Sequence, residues 1–130
     1  MNLRAMFIGA ATVALVALGV AVATAVRPAA GPREIVLTAR GMSFYVDGDA
    51  SPNPTIRVRA GEHVRFVLHN EAPGLVHDLT IPGLGVTLEP IEAGASRAAV
   101  LRIPVSPGTF PYSCRPHARM MQGTVVVAGN

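Results

Sequence analysis

Tyr112-Ser113-Cys114-Arg115-Pro116-His117-Ala118-Arg119-Met120-Met121-Gln122-Gly123 joins two short β-rich runs, Thr109 to Cys114 before it and Thr124 to Ala128 after it. It reads as a loop between two strands, and it is dense in side chains that bind soft metals. The chain's one cysteine lies in it, followed by a histidine and two methionines. A second histidine, His77, opens the apolar run His77-Asp78-Leu79-Thr80-Ile81-Pro82 well upstream.

Outward from this loop the pattern repeats: short β-rich runs broken by glycine and proline, with no sustained helical period. Glu34 to Ala39 and Met42 to Val46 read as the first strands, followed by the polar turn region Asp47 to Pro54. Thr55 to Arg59 alternates, with Ile56 and Val58 on one face. His63 to His69 alternates again, with Val64, Phe66 and Leu68 opposite His63, Arg65, Val67 and His69. His77 to Ile81, Val86 to Glu89 and Ser96 to Ile103 complete a set of about eight or nine strands. Thirteen glycines and eleven prolines supply the turns that such a chain needs. The expectation is an all-β fold, a Greek-key β-sandwich, over residues 34–130.

Half of the residues are hydrophobic, and the surplus sits at the N-terminus. Arg4 precedes an uncharged run, Ala5 to Val26, that Arg27-Pro28 ends. As a helix its 22 or so residues would reach about 33 Å, enough to cross a bilayer core. Residues 1–28 therefore read either as a signal peptide, with Ala21-Val22-Ala23 or Ala23-Thr24-Ala25 for cleavage, or as an uncleaved membrane anchor through residues 5–26, which the length favours. Residues 29–33 read as a linker. Both readings export the rest of the chain, to the periplasm or another extracytoplasmic space.

The net charge of +3 comes from eleven arginines with no lysine. Arg57, Arg59, Arg65, Arg97 and Arg102 are spaced between apolar residues, as on the solvent face of strands, and form no basic stripe that would suit nucleic acid. One cysteine makes no intramolecular disulfide, and a lone thiol in an exported protein calls for an explanation that metal ligation supplies.

A thiolate, two imidazoles and a thioether are the donor set of a mononuclear blue-copper site. Soft sulfur favours Cu(I) and imidazole also holds Cu(II), so one copper in such a site can pass single electrons. Cys114-Arg115-Pro116-His117 fixes two donors through one tight turn, and Pro116 restricts the backbone just before His117. His63 and His69 share parity with Arg65 and read as solvent-face residues.

From about Glu34 to Ala128 the chain resembles the cupredoxins, the small blue-copper proteins related to plastocyanin, amicyanin and azurin. Three stretches carry the resemblance: Ala60 to Asn70, a glycine-turn strand ending in asparagine; Val76 to Pro82, bearing the first histidine; and Tyr112 to Val127, with the Met-x-Gly step Met121-Gln122-Gly123. The resemblance implies copper ligands His77, Cys114, His117 and Met121. Met120 competes for the axial place, since a shorter gap after the second histidine, as in amicyanin, would select it; the Met-x-Gly register selects Met121. Asp78 stands where many cupredoxins carry asparagine, which alters the charge beside the thiolate.

The function expected is that of an exported electron carrier with one copper cycling between Cu(I) and Cu(II), monomeric and not an enzyme. It would dock transiently on a redox protein near His117, within an apolar rim of Gly74, Leu75, Val76, Pro82, Leu84, Pro116 and Ala118. Arg115 and Arg119 on the same loop would steer an acidic partner. The alternative is a module that stores or delivers copper with the same ligands. No nucleophile elbow, phosphate loop or Cys-x-x-Cys motif points to another chemistry.

Overall fold

A computed structural model describes residues 31–129. The signal-peptide and anchor readings of residues 1–28 lie outside the described residues. Nine strands follow in order: β1 (Arg33–Arg40), β2 (Ser43–Val46), β3 (Thr55–Arg59), β4 (His63–Asn70), β5 (His77–Ile81), β6 (Val86–Ile91), β7 (Ser96–Arg102), β8 (Gly108–Ser113) and β9 (Gln122–Ala128). They form two sheets, ordered β2-β1-β4-β7 and β3-β9-β8-β5-β6. β1 runs parallel to β4 and β3 parallel to β9, while the other pairs are antiparallel. This is the β-sandwich that the short alternating runs predict.

The alternation explains the packing. In β4, Val64, Phe66 and Leu68 are fully buried while His63 and Arg65 are exposed. Ile35, Leu37 and Ala39 of β1 face the same layer, and Leu79, Ile81, Tyr112, Val125 and Val127 close it from the second sheet. β1 begins at Arg33, one residue earlier than expected and within the stretch read as linker. The Arg33 guanidinium is held by Glu62 at 2.6 Å and by the Arg57 carbonyl at 2.9 Å, which draws this residue into the sheet.

β5 departs from simple alternation, because all five of its residues are buried. It lies between β6 and β8, so both of its edges are paired, and its second face is met by side-chain contacts, Asp78 with Arg115 and Thr80 with the Ser113 carbonyl. Its pairing with β6 is irregular between His77 and Leu79: His77 faces Ile91 and Leu79 faces Leu88. Glu89 and Pro90 thus oppose Asp78 alone, a bulge on β6 that accommodates a proline with no N–H to donate. Such a bulge re-aims the strand at the end where the candidate donors lie.

Candidate metal centre

Three elements converge at one end of the sandwich. β5 opens with His77, β8 delivers Cys114 just past its end, and a single 3-10 turn over Arg115–His117 presents His117. The turn is closed by the His117 N–H donating to the Cys114 carbonyl at 3.1 Å. The N–H groups of Met120 and Met121 both donate to the His117 carbonyl at 2.9 Å, and the Cys114 N–H donates to the Met121 carbonyl at 3.0 Å. The loop is therefore tied to itself by its own backbone before any metal is considered.

The Cys114 Sγ lies 3.7 Å from Nδ1 of His77 and 3.5 Å from Nδ1 of His117. One donor atom from each of the three residues falls within 4.8 Å of the others. Metal–sulfur and metal–nitrogen bonds of about 2.3 and 2.0 Å, at trigonal angles, separate sulfur from nitrogen by about 3.7 Å. The two sulfur–nitrogen spacings thus fit one ion that His77, Cys114 and His117 would hold together. His77 and Cys114 are fully buried, whereas His117 is half-buried and reaches the surface. His77 Nε2 is buried with no hydrogen-bond partner among the described residues.

The two methionines separate cleanly. Met121 is fully buried in the core, and Met120 is 54% exposed. This supports the Met-x-Gly register over the shorter gap. Gly123 has a physical reason in that register: a Cβ there would lie 2.3 Å from the ring of Tyr112, its partner across β8 and β9. Tyr112 is itself fully buried, with its hydroxyl donating to the Pro54 carbonyl at 2.7 Å.

Asp78 does more than alter a charge. Its N–H is directed at the Cys114 sulfur at 3.5 Å. Its fully buried carboxylate accepts from the Arg115 N–H at 2.7 Å and from Arg115 Nε at 2.6 Å. Glu89, on the bulge of β6, holds the other side of that guanidinium at 3.1 Å. The two donor-bearing segments are thus pinned by a charge-assisted, two-point contact. The Asp78 and Glu89 carboxylates raise the Arg115 pKa. Arg115 is therefore engaged by this chain's own acids, and of the two arginines expected to steer a partner only Arg119 makes no ion pair among the described residues.

Asn70, the last residue of β4, shapes the approach to His77. Its fully buried amide donates to the carbonyls of Leu75 and Ile91 and accepts from the Ala72 N–H, fixing the loop between β4 and β5. His63 and His69 point outward as expected. His69 is half-buried beside Ser96, with Nδ1 2.8 Å from the hydroxyl, and neither histidine joins the cluster. Of the expected rim, Gly74, Pro82, Pro116 and Ala118 are exposed and Leu75, Val76 and Leu84 are half-buried.

Burial holds His77 below the usual imidazole range, and neighbouring His117 adds to the depression. Burial also pushes the Cys114 thiol up; the Asp78 N–H opposes the rise and the Asp78 carboxylate adds to it. Both shifts cost stability in the metal-free protein. As pH falls below about 6.5 the unfolded chain takes up the His77 proton first, so stability drops. As pH rises above about 8.5 the unfolded chain releases the Cys114 proton first, so stability drops again. Denaturant titration of the metal-free protein is expected to show highest stability between those limits, and His77→Gln should flatten the acidic side.

Two β-sheets face to face, with two imidazoles, a thiolate and a buried thioether gathered at one end, define a small copper-binding sandwich. A family profile for the cupredoxin-like domain matches residues 11–127, and the chain belongs to that family. Among solved structures it is similar to reduced auracyanin from Roseiflexus castenholzii, with a TM-score of 0.60 at 14% identity, covering 76% of this chain and 99% of that one. Rusticyanin from Thiobacillus ferrooxidans gives 0.58 at 21%, covering 73% and 76%. A multicopper oxidase from Aquifex aeolicus gives 0.61 at 16%, covering 77% of this chain but only 27% of the oxidase. At these identities the likeness is one of fold. No match was found among the curated proteins compared. His77, Cys114, His117 and Met121 are arranged as a type 1 copper site, and copper is the cofactor that this donor set fits.

Proposed function

We propose that the domain is an exported carrier of single electrons, with one copper held by Nδ1 of His77, Sγ of Cys114, Nδ1 of His117 and the thioether of Met121. The observation that carries this reading is the preformed donor triangle, 3.5 and 3.7 Å on its two sulfur edges, set in a loop tied by its own backbone. Bound copper supplies a one-electron couple, and the protein supplies a frame that changes little between the two states. Buried His77 and the Asp78–Arg115 contact hold the inner side. Half-buried His117 is the surface end of the site and the place where a redox protein would dock briefly. No substrate needs to be turned over, and His63 and His69 stand apart from the centre.

Export rests on the apolar run Ala5 to Val26, with residues 5–26 favoured as an anchor over a cleaved signal. Fractionation of cells expressing the full chain should place it outside the cytoplasm, and the mass of the recovered protein should tell anchor from signal. A cytoplasmic protein of full mass would overturn this part.

The function is tested by redox titration with metal analysis. Copper content should stay constant through repeated reduction and oxidation. Ready transfer of the metal to an apo-acceptor, in either oxidation state, would instead establish a copper-delivery module. Asp78→Asn offers a second check. Removing the buried negative charge next to the sulfur disfavours Cu(II), so the Cu(I)/Cu(II) ratio at a fixed redox buffer should rise by about tenfold, equivalent to about 59 mV for one electron. An unchanged or lower potential would show that Asp78 acts only through hydrogen bonds.

A further inference from the structure

Asn53 is the only non-glycine residue with a left-handed backbone among the described residues, at φ 51°. It stands between Pro52 and Pro54 in the turn region that carries the chain from β2 to β3. Asparagine tolerates this conformation better than most residues, but glycine would adopt it at less cost. The side chain here does something that glycine would not.

Asn53 is locked to the second residue of β2 on both sides. Its N–H donates to the Phe44 carbonyl at 2.7 Å, and its Oδ1 accepts from the Phe44 N–H at 2.9 Å. That pairing fixes the orientation of the amide, since a flipped amide would set N–H against N–H. The remaining group, Nδ2, donates to the Met120 carbonyl at 2.9 Å across 67 positions of sequence.

The Met120 carbonyl belongs to the peptide unit that leads into Met121. The N–H of that unit donates to the His117 carbonyl. One peptide plane is thus held at both ends, by the histidine turn and by Asn53, directly before the buried methionine. The next residue of the same corner, Pro54, accepts the hydroxyl of Tyr112, two positions before Cys114.

We infer that Asn53 is a positioning residue for the axial thioether: it fixes the Met120–Met121 peptide plane and thereby sets how closely Met121 is offered to the metal. This rests on the copper reading above. A residue that only staples the turn region to β2 would need the Phe44 bonds and not the third one.

The test uses the full chain with two substitutions. Asn53→Gly keeps the backbone conformation and removes both side-chain bonds. Asn53→Asp keeps the acceptor for the Phe44 N–H and replaces the donor facing Met120 with an oxygen. In the metal-free protein, amide exchange at Met121 should accelerate by about tenfold or more in both variants. In the copper-loaded protein the visible and paramagnetic spectra should change, and the Cu(I)/Cu(II) ratio at a fixed redox buffer should shift by about threefold or more, in the same direction as for Met121→Leu. Unchanged Met121 exchange and unchanged spectra, even with lowered stability, would overturn the inference. If the unsubstituted protein gives no thiolate–copper spectrum, the copper reading fails, while the exchange measurement still decides the clamp. Should Asn53→Gly fail to fold, Asn53→Asp retains the Phe44 contact and carries the test.

Discussion

Cys114→Ser is expected to abolish the intense visible absorption of the copper-loaded protein and to weaken copper binding by more than about 100-fold. The residue is fully buried, and its sulfur meets His77 at 3.7 Å, His117 at 3.5 Å and the Asp78 N–H at 3.5 Å. A serine hydroxyl fits the volume but is a hard, weakly acidic donor with a short reach, poorly matched to Cu(I). The absorption itself requires charge transfer from a thiolate, so even a variant that retained copper would lose it. The methionines give the matching contrast. Met121→Leu conserves volume in a fully buried position, so the fold should survive at a cost below about 1.5 kcal/mol while the potential shifts. Met120→Leu changes a half-exposed side chain and should leave the potential alone. A thiolate band that survives Cys114→Ser would show that the sulfur is not a ligand. A reversed pair of methionine results would move the axial role to Met120.

Much of this was legible in the residues, for reasons that also mark where legibility ends. Alternation in Val64, Phe66 and Leu68 reports a strand with one buried face, because burial repeats every two residues whatever the partner. The donor loop is legible because its three chemically distinct side chains lie within eight residues, Cys114 to Met121. Burial favours Met121 over its neighbour Met120, in the same sense as the Met-x-Gly register. What stayed hidden depends on contacts between distant segments. Arg115 looks like a free surface charge in the sequence, and its engagement by Asp78 of β5 and by Glu89 on the β6 bulge depends on the packing of both strands beside the loop. Asn53 looks like one polar turn residue among several, since nothing local signals a bond to a carbonyl 67 positions on. Asp78 shows its charge in the sequence, but its two-point contact with Arg115 joins residues 37 positions apart.

Gly123→Ala should be the most damaging single-methyl change in the domain. The added carbon would sit 2.3 Å from both the Tyr112 hydroxyl and its ring carbon, inside any contact that atoms tolerate. The ring has nowhere to go. It is fully buried, meets Phe44 edge-on with centroids 5.8 Å apart, and is tethered to the Pro54 carbonyl. Displacing it combines overpacking with a lost buried hydrogen bond, for a cost of about 2–4 kcal/mol. For a domain of about 100 residues that is a fall in Tm of roughly 10–25 °C. Tyr112→Ala alone should cost about 3–5 kcal/mol through the cavity it leaves. Once the ring is gone the methyl has room, so the double variant should be more stable than the sum of the two by at least about 1 kcal/mol. Simple additivity would mean that the strand relaxes away from the ring instead. The effect should reach the metal as well, because Gly123 lies two residues after Met121 on the strand that closes the loop. Copper bound to Gly123→Ala should therefore show an altered spectrum even at temperatures where the fold persists, and the Tyr112→Ala background should restore it toward that of Tyr112→Ala alone.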